Sequence, residues 1–120
     1  MNRSVEMSDH TLDAVLAALA EPTRRNAMRL LHAHDELCVC DLMAQLGATQ
    51  SRMSRHMGTL KDVGLVLDRR DAQWVRYRLN PRVPSEIKAV VRSVLAASPA
   101  IPSRHAGRKA SVRKAERVSP

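Results

Sequence analysis

The hydrophobic pattern changes its period once, close to Gly64, and this change limits the folds that the chain can adopt. Before it, apolar residues recur every three or four positions, which predicts an amphipathic helix from about residue 50 to 63. After it, residues 65–70 and 74–79 alternate in the manner of two strands joined by a turn at residues 71–73. The helix therefore leads directly into a β-hairpin. Its apolar stripe consists of Met53, Met57, Leu60 and Val63.

Helical periodicity also marks the segments that precede this unit. The first predicted helix covers residues 9–20, and a second, which begins with a proline, covers residues 22–32. A short extended piece at residues 37–39 follows. A third, short helix begins around Cys40 and stops at Gly47, a residue type that commonly ends helices.

A last helix closes the chain's folded part, with Ser85 as its expected cap and Ala97 near its end. The order is thus four helices, a hairpin and a closing helix. A short helix, a tight turn, a longer helix and then a basic hairpin form the winged helix-turn-helix arrangement. We therefore expect a mainly α fold with a small β component (α+β), in the order α1-α2-α3-α4-β-β-α5.

Length and composition fit one small helical domain. A chain of 120 residues has room for a single core, and aromatic residues make up only 2% of it. Leu, Val, Ala and Met must therefore form the core, which suits a helical bundle better than a sandwich. No apolar run is long enough to span a bilayer, and the first ten residues lack the apolar stretch of a signal peptide. We expect a cytoplasmic protein without a membrane partner.

The net charge of +8 favours a polyanionic partner, but its distribution is uneven. Residues 98–120 contribute +5, and their high content of Pro, Ser, Ala and Arg predicts a basic, disordered tail. This tail is either solvated without a role or adds non-specific affinity for DNA. We expect a flexible N-terminus at residues 1–8 and one DNA-binding and dimerisation domain at residues 9–97.

The start of the fourth helix carries side chains that can read DNA. Base edges in the major groove are read by Arg, Gln, Asn, Ser and Thr, and recognition helices usually make these contacts near their N-termini. Thr49 is also the expected N-cap of this helix. The candidate DNA-binding residues are Thr49, Gln50, Ser51, Arg52, Ser54, Arg55 and His56 from the helix, with Arg69 and Arg70 from the hairpin.

Two of these assignments have alternatives. His56 either contacts a phosphate or packs at the edge of the core. Hairpin arginines, Arg76 among them, alternate between the two faces of the strands, so some of them must point away from DNA.

Specific binding by one such helix normally requires a dimer on a pseudo-palindromic site. The first and last helices carry more apolar surface than a small core can cover, which makes them the candidate surface of a homodimer. The alternative is that they only close the monomer core. The residues concerned are Leu12, Val15, Leu16, Leu19, Ile87, Val90, Val91, Val94 and Leu95.

The two cysteines, Cys38 and Cys40, are close together in a chain expected to stay in the cytosol, where structural disulfides are rare. Three interpretations follow: inert core residues, a redox pair, or ligands for a soft metal or metalloid. The helix dipole at the start of the third helix should stabilise the Cys40 thiolate.

Residues 36–42 (ELCVCDL) resemble the signature of the arsenical-resistance repressor (ArsR) family, and residues 48–57 are similar to that family's recognition helix. The likeness covers roughly residues 12–97. It implies a homodimeric repressor that binds operator DNA and leaves it when As(III) or Sb(III) binds Cys38 and Cys40. No other cofactor is required.

Helix geometry suggests how such binding would act. Residues i and i+2 on a helix point about 200° apart, so two helical cysteines cannot readily grip one atom. We therefore expect chelation to distort or unwind the start of the third helix. The family commonly has a third cysteine where this chain has Met43, which we expect to belong to the core. A cellular thiol, hydroxide or methyl group would then complete the site, so methylarsenite is a plausible inducer.

Other functions stay open with this sequence. The same fold serves sensors of Cd, Pb or Zn, which want more ligands than the chain offers: the last helix has no His or Asp, and no cysteine precedes Cys38. His32 and His34 are weaker candidate ligands. A thiol-redox-sensing repressor and an architectural DNA-binding protein are the remaining alternatives. An enzyme is not expected, because no Gly-rich phosphate loop and no nucleophile–base pair are evident.

Overall fold

A computed structural model describes residues 9–99. The expected flexible N-terminus at 1–8 and nearly all of the expected basic tail lie outside the described residues. The elements, in chain order, are α1 (Asp9–Leu19), α2 (Pro22–Ala33), β1 (Leu37–Cys38), α3 (Val39–Leu46), α4 (Gln50–Asp62), β2 (Val66–Asp71), β3 (Trp74–Leu79) and α5 (Ser85–Ala97). This order confirms the predicted winged helix-turn-helix arrangement of α3, α4 and the β2–β3 hairpin.

The three strands form one antiparallel sheet in the order β1-β3-β2. β2 and β3 pair along their whole length, from Val66 opposite Leu79 to Asp71 opposite Trp74. Their two-residue turn places Ala72 at a φ of 59°. The short β1 pairs with the other edge of β3, so the segment before α3 is hydrogen-bonded to the hairpin.

The core lies between the helices and one face of the sheet. Its members with no exposed surface include Val15 of α1, Leu42 of α3 and Val66 of β2, together with the predicted stripe Met53, Met57 and Leu60 of α4. Aliphatic and methionine side chains thus fill the interior, as the low aromatic content predicts.

Arginines from α2 tie neighbouring helix ends together. The guanidinium of Arg24 donates to the carbonyl of Ala18 (2.7 Å) and that of Arg25 to the carbonyl of Leu19 (2.8 Å), which satisfies acceptors at the end of α1. α2 itself begins with Pro22 in the first turn, as expected, and the Glu21 carboxylate accepts its first free amides.

Arg29, farther along α2, holds the end of α5. Its Nη2 donates to the carbonyl of Leu95 (2.7 Å), to Ser98 Oγ (2.9 Å) and to the Ser98 carbonyl. Ser98 is consequently half-buried and held by the domain. α5 ends at Ala97, the residue predicted to end the domain, and Ser98 directly after it is held against α2.

Two predicted helix starts need correction. α3 begins at Val39, not around Cys40, because Cys38 acts as its N-cap. α5 begins at Ser85 itself, with Pro84 in the capping position and no side-chain capping hydrogen bond. The predicted capping role of Ser85 is therefore wrong.

The apolar faces of α1 and α5 divide into two sets. Val15, Leu19, Ile87, Val91 and Leu95 are buried within the described chain, so they form the monomer core. Leu16 is 43% exposed, and the side chains of Leu12, Val90 and Val94 are half-buried. Only this second set is available to a partner.

Candidate DNA interface and thiol site

The first two turns of α4 present a polar, solvent-facing surface. Thr49 caps the helix, as predicted, by accepting the amide of Arg52 (3.2 Å). Buried methionines on the opposite face fix the rotation of α4, so this surface is rigidly displayed. The exposed members are Thr49, Gln50, Ser51, Arg52, Ser54 and Arg55.

His56 differs from these neighbours because it is half-buried and already partnered. Its Nδ1 lies 3.2 Å from Nη1 of Arg24 on α2. Since a guanidinium can only donate, Nδ1 must accept, which places the ring proton on Nε2 of a neutral imidazole. Burial lowers the pKa of His56; the charge on Glu21 opposes this, and the charges on Arg24, Arg52 and Arg55 add to it. Of its two predicted roles, the structure therefore favours packing at the edge of the core.

The hairpin arginines are engaged to different degrees. Arg69 forms a two-pronged ion pair with Glu36, with both N···O distances at 2.8 Å. Arg76 donates to Asp71 (2.8 Å) on the adjacent strand. Arg70 is exposed on β2, and no hydrogen bond or ion pair holds it in the described structure. Of the two hairpin residues predicted to contact DNA, Arg70 is thus free to do so in this conformation, whereas Arg69 must first break its ion pair with Glu36.

The two cysteines lie at the junction of β1 and α3. Cys38 ends β1 in an extended conformation (φ −72°, ψ 153°) and is only 3% exposed, whereas Cys40 is exposed in the first turn of α3. The amide of Cys40 donates to Sγ of Cys38 (3.2 Å), and the amide of Cys38 donates to Oδ2 of Asp41 (3.0 Å). The Cys38 sulfur thus curls over the helix start towards Cys40.

The two cysteines are not both helical, because Cys38 lies in the extended conformation predicted for residues 37–39 and α3 begins directly after it. The expected distortion of the start of α3 on chelation stays a prediction. A ligand that bridges the two sulfurs must reach the buried Cys38 and displace the capping hydrogen bonds around it.

The expected stabilisation of the Cys40 thiolate is also wrong. Although the residue is exposed as a whole, desolvation by surrounding protein raises the pKa of its thiol to about 11. The hydrogen bond with Cys38 and the charges of Cys38 and Asp41 act in the same direction, and a backbone hydrogen bond from Asp41 opposes them only in part. The thiol therefore needs an electrophilic partner to lose its proton near neutral pH.

The described residues offer two sulfurs and no further strong donor at this site. Within residues 9–99, no group of three or more His, Cys, Asp or Glu side chains is arranged to hold a metal ion. Met43 is half-buried and packs against the core, in agreement with its expected role. His32 and His34 lie near the end of α2, outside the turn at residues 37–40 that carries both cysteines (the cysteine turn). Thiolates suit soft centres, and two of them fit As(III) or Sb(III) better than a four-coordinate zinc ion.

The cysteine turn is attached both to the β2–β3 hairpin and to the helix-turn-helix. Leu37 is opposite Tyr77 and Cys38 opposite Arg76 in the pairing of β1 with β3, so this turn is attached to the hairpin. On its other side it continues into α3, which packs against α4. Cys38 is therefore connected to α4 and to the β2–β3 hairpin (the wing) through directly bonded or packed neighbours.

Sequence reasoning missed the side-chain pairs that organise this surface. The contacts of Arg24 with His56 and of Glu36 with Arg69 join residues 32 and 33 positions apart. Pairing of β1 with β3 was also not foreseen, because a two-residue strand leaves no alternation to detect. A single sequence carries no signal for such long-range pairs.

Comparison with known proteins agrees with this description. Residues 21–67 match the model of the family described as bacterial regulatory protein, arsR family. The chain is 43% identical over 84 residues to the arsenic resistance transcriptional regulator ArsR2 of Pseudomonas putida, spanning 70% of this chain and 73% of that protein. The chain belongs to the arsR family. Its members are DNA-binding transcriptional regulators.

Other relatives of this arsR-family chain carry related names. The arsenical resistance operon repressor of Escherichia coli is 46% identical over 67 residues, which is 56% of this chain and 57% of that protein. Among solved structures, reduced HlyU from Vibrio cholerae superposes with a TM-score of 0.61 at 30% identity, covering 77% of this chain and 93% of that one. A possible transcriptional regulator for arsenical resistance has a TM-score of 0.57 at 37% identity, covering 66% of this chain and 81% of that one.

Among residues 9–99, no helix has the length and apolar character needed to cross a membrane.

Proposed function

We propose that this arsR-family regulator is a homodimeric repressor that binds operator DNA and releases it when As(III) or Sb(III) bridges Cys38 and Cys40. The observation that carries the proposal is the position of these cysteines, at a turn that continues into the helix-turn-helix and is bonded to the wing. The names of the relatives, which include arsenic resistance regulators and an operon repressor, support the inducer class.

In the DNA-bound state, α4 enters the major groove. Gln50 and Arg55 are the residues best placed to read bases, since Gln suits adenine and Arg suits guanine. Ser51 and Ser54 let the backbone approach phosphates, and Arg52 and Thr49 lie at the start of the same surface.

Arg70 of the wing reaches the DNA backbone, joined by Arg69 once it leaves Glu36. His56 positions α4 through Arg24 rather than touching DNA.

The dimer forms through the exposed part of α1 and α5. Leu12, Leu16, Val90 and Val94 leave apolar surface that a second copy would cover. Two reading helices then address two half-sites, as specific operator binding by this motif requires.

Induction is a condensation without a change of oxidation state. Arsenous acid, As(OH)₃, reacts with the two thiols to give a dithiolate of As–OH and two molecules of water. The third position keeps hydroxide, accepts a cellular thiol, or holds a methyl group in methylarsenite, since no third thiolate lies in the described site. Sb(III) reacts by the same exchange.

Release follows from the burial of Cys38. The bridged state requires its sulfur to leave the capping position over the Cys40 amide and draw towards the exposed thiol. This moves β1 against β3 and α3 against α4. A preference of the inducer for the displaced state by about 1–3 kcal/mol weakens DNA binding by roughly 5- to 150-fold.

The test begins with selection of an operator from a pool of random duplexes, followed by titration of arsenite into the labelled complex. Arsenite, antimonite and methylarsenite should release the DNA, while Cd(II) and Zn(II) should act only at higher concentrations. Cys38→Ser and Cys40→Ser should each bind DNA normally and ignore arsenite. Retention of the wild-type chain on DNA at saturating arsenite would refute the proposal.

A thiol-redox sensor is the second candidate, favoured by the two-sulfur site without a third donor. One solved relative is described as the reduced form of HlyU. An intramolecular disulfide between positions i and i+2 is strained, which counts against it. Release of DNA by peroxide or persulfide, with no release by arsenite, would favour this function.

A further inference from the structure

A cavity of about 300 Å³ lies between α2, the base of the wing and α5, and neither cysteine is among its lining residues. Its floor is apolar, with Met28, Leu65 and Val91 all buried. Leu79 of β3 and Val83 of the following loop continue the apolar wall. This volume lies within the range of small-molecule sites in proteins.

The rim of the cavity is basic. Lys88 and Arg92 carry its positive charges, His32 lies beside them, all three are exposed, and none of the lining residues in the described chain is acidic. Lys88 donates to the carbonyl of Pro81 (3.2 Å) at the mouth, while Arg92 has no hydrogen bond or ion pair within residues 9–99. Burial, and after it the neighbouring charge of Arg92, lower the pKa of His32, so the positive charge of the rim comes from Lys88 and Arg92.

We propose that this cavity binds a small amphipathic anion, with an apolar body on the Met28–Leu65–Val91 floor and a carboxylate between Lys88 and Arg92. An apolar floor alone would bind any small apolar molecule of suitable size. The adjacent unpaired guanidinium favours a negative head group, since a carboxylate is the natural two-pronged partner of arginine. Neither sulfur of the proposed inducer site takes part, so the cavity is a separate site.

The cavity also has a distinctive position in the fold. It joins α5, which carries apolar surface for a second subunit, to Leu79 and Asn80 at the end of the wing. An occupant would contact both elements at once. The proposal concerns binding at this site and does not depend on the operator or on arsenite.

The test is calorimetric titration of the full chain with octanoate, below its micelle concentration and without DNA. Octylammonium offers the same tail with the opposite charge, octan-1-ol a neutral head, and acetate the head without the tail. Octanoate should bind at least about tenfold more tightly than each of the three, a difference of about 1.4 kcal/mol. Equal binding of octylammonium, equal binding of acetate, or no binding of octanoate would overturn the proposal.

Two further measurements locate the site. Arg92→Gln should weaken octanoate binding several-fold, whereas Arg82→Gln, which removes the same charge from an exposed position outside the cavity lining, should not. Both residues are exposed, so neither change endangers the fold. In methionine methyl NMR spectra, octanoate should shift the Met28 signal and leave those of Met53 and Met57 unmoved. Equal weakening by both substitutions, or an unmoved Met28 signal, would exclude this site.

Discussion

Cys38 and Arg76 are direct partners in the antiparallel pairing of β1 with β3, so their side chains lie on the same face of the sheet. Arg76 is bonded to Asp71 at the far end of the hairpin. A thiol that is buried at the start of α3 is therefore one cross-strand step from the wing. This relationship gives the proposed inducer site a physical connection to the proposed DNA-facing surface.

The arginines at the start of α4 should account for much of the DNA affinity. Arg52→Ala and Arg55→Ala are each expected to cost about 1–3 kcal/mol of binding free energy, because both side chains are exposed and have no hydrogen bond through the guanidinium in the described structure. Fluorescence anisotropy with the selected operator measures this. Arg82→Ala, a loop substitution of the same charge, should leave affinity within about twofold. Full affinity in both α4 variants would exclude this face as the reader.

Breaking the ion pair between Glu36 and Arg69 should strengthen DNA binding. Glu36→Gln frees the Arg69 guanidinium for a phosphate and should steepen the dependence of log K on log salt by about one unit. The melting temperature should hardly change, since the pair is exposed to solvent. The matched control is Asp35→Asn, which removes the same charge one residue earlier and keeps the pair. An identical effect of both substitutions would show that only net charge matters.

The exposed leucine of α1 should be needed for the dimer but not for the fold. Leu16→Glu places a charge where a second copy would cover apolar surface, and a shift from dimer to monomer is expected in sedimentation velocity. Because Leu16 is 43% exposed in the single chain, the melting of the monomer should change little. Ala44→Glu, on the exposed side of α3, should remain dimeric. A dimeric Leu16→Glu variant would move the interface elsewhere.

Stability should fall as the pH falls through 6.5, the ordinary pKa of histidine. Burial lowers the pKa of His56 in the folded chain, so below pH 6.5 the unfolded chain binds protons that the folded chain does not. The stabilising contribution of neutral His56 is complete above this pH and declines towards the lowered pKa. His32 acts in the same direction.

Urea denaturation at pH 7.5 and pH 5.5 measures this effect. His56→Gln should reduce the loss, because a glutamine oxygen can still accept from Arg24 and does not titrate. His34→Gln, at an exposed position after α2, serves as the control and should retain the wild-type loss. The same pH dependence in the His56 variant and the wild type would contradict the assignment.

Most of the fold could be predicted because it is set by local periodicity. The spacing of Met53, Met57 and Leu60 places α4 and its buried face, and the alternation after Gly64 places the hairpin. Both patterns are properties of neighbouring residues. The exposed candidate DNA-binding residues of α4 follow from the first pattern, since a helix with a fixed buried face has a fixed outer face.

The chemistry of the cysteine turn could not be predicted in the same way. The extended conformation of Cys38 was predicted, but its capping bond with Asp41 and its pairing with β3 were not, because a local pattern does not contain them. The rise in the pKa of Cys40 was missed because it comes chiefly from desolvation by the surrounding protein, which a position at a helix start does not reveal. The engagement of Arg69 by Glu36 was hidden for a similar reason, because it joins two segments that are distant in the chain.

Thermodynamic linkage tests whether the cysteine pair and the proposed DNA-facing surface are energetically coupled. The dissociation constant of arsenite should be measured with the free protein and with the protein saturated by its selected operator. If the coupling exists, DNA weakens arsenite binding by the same factor by which arsenite weakens DNA binding, expected to be at least about tenfold. Equal arsenite affinity in the presence and absence of the operator would contradict the claim.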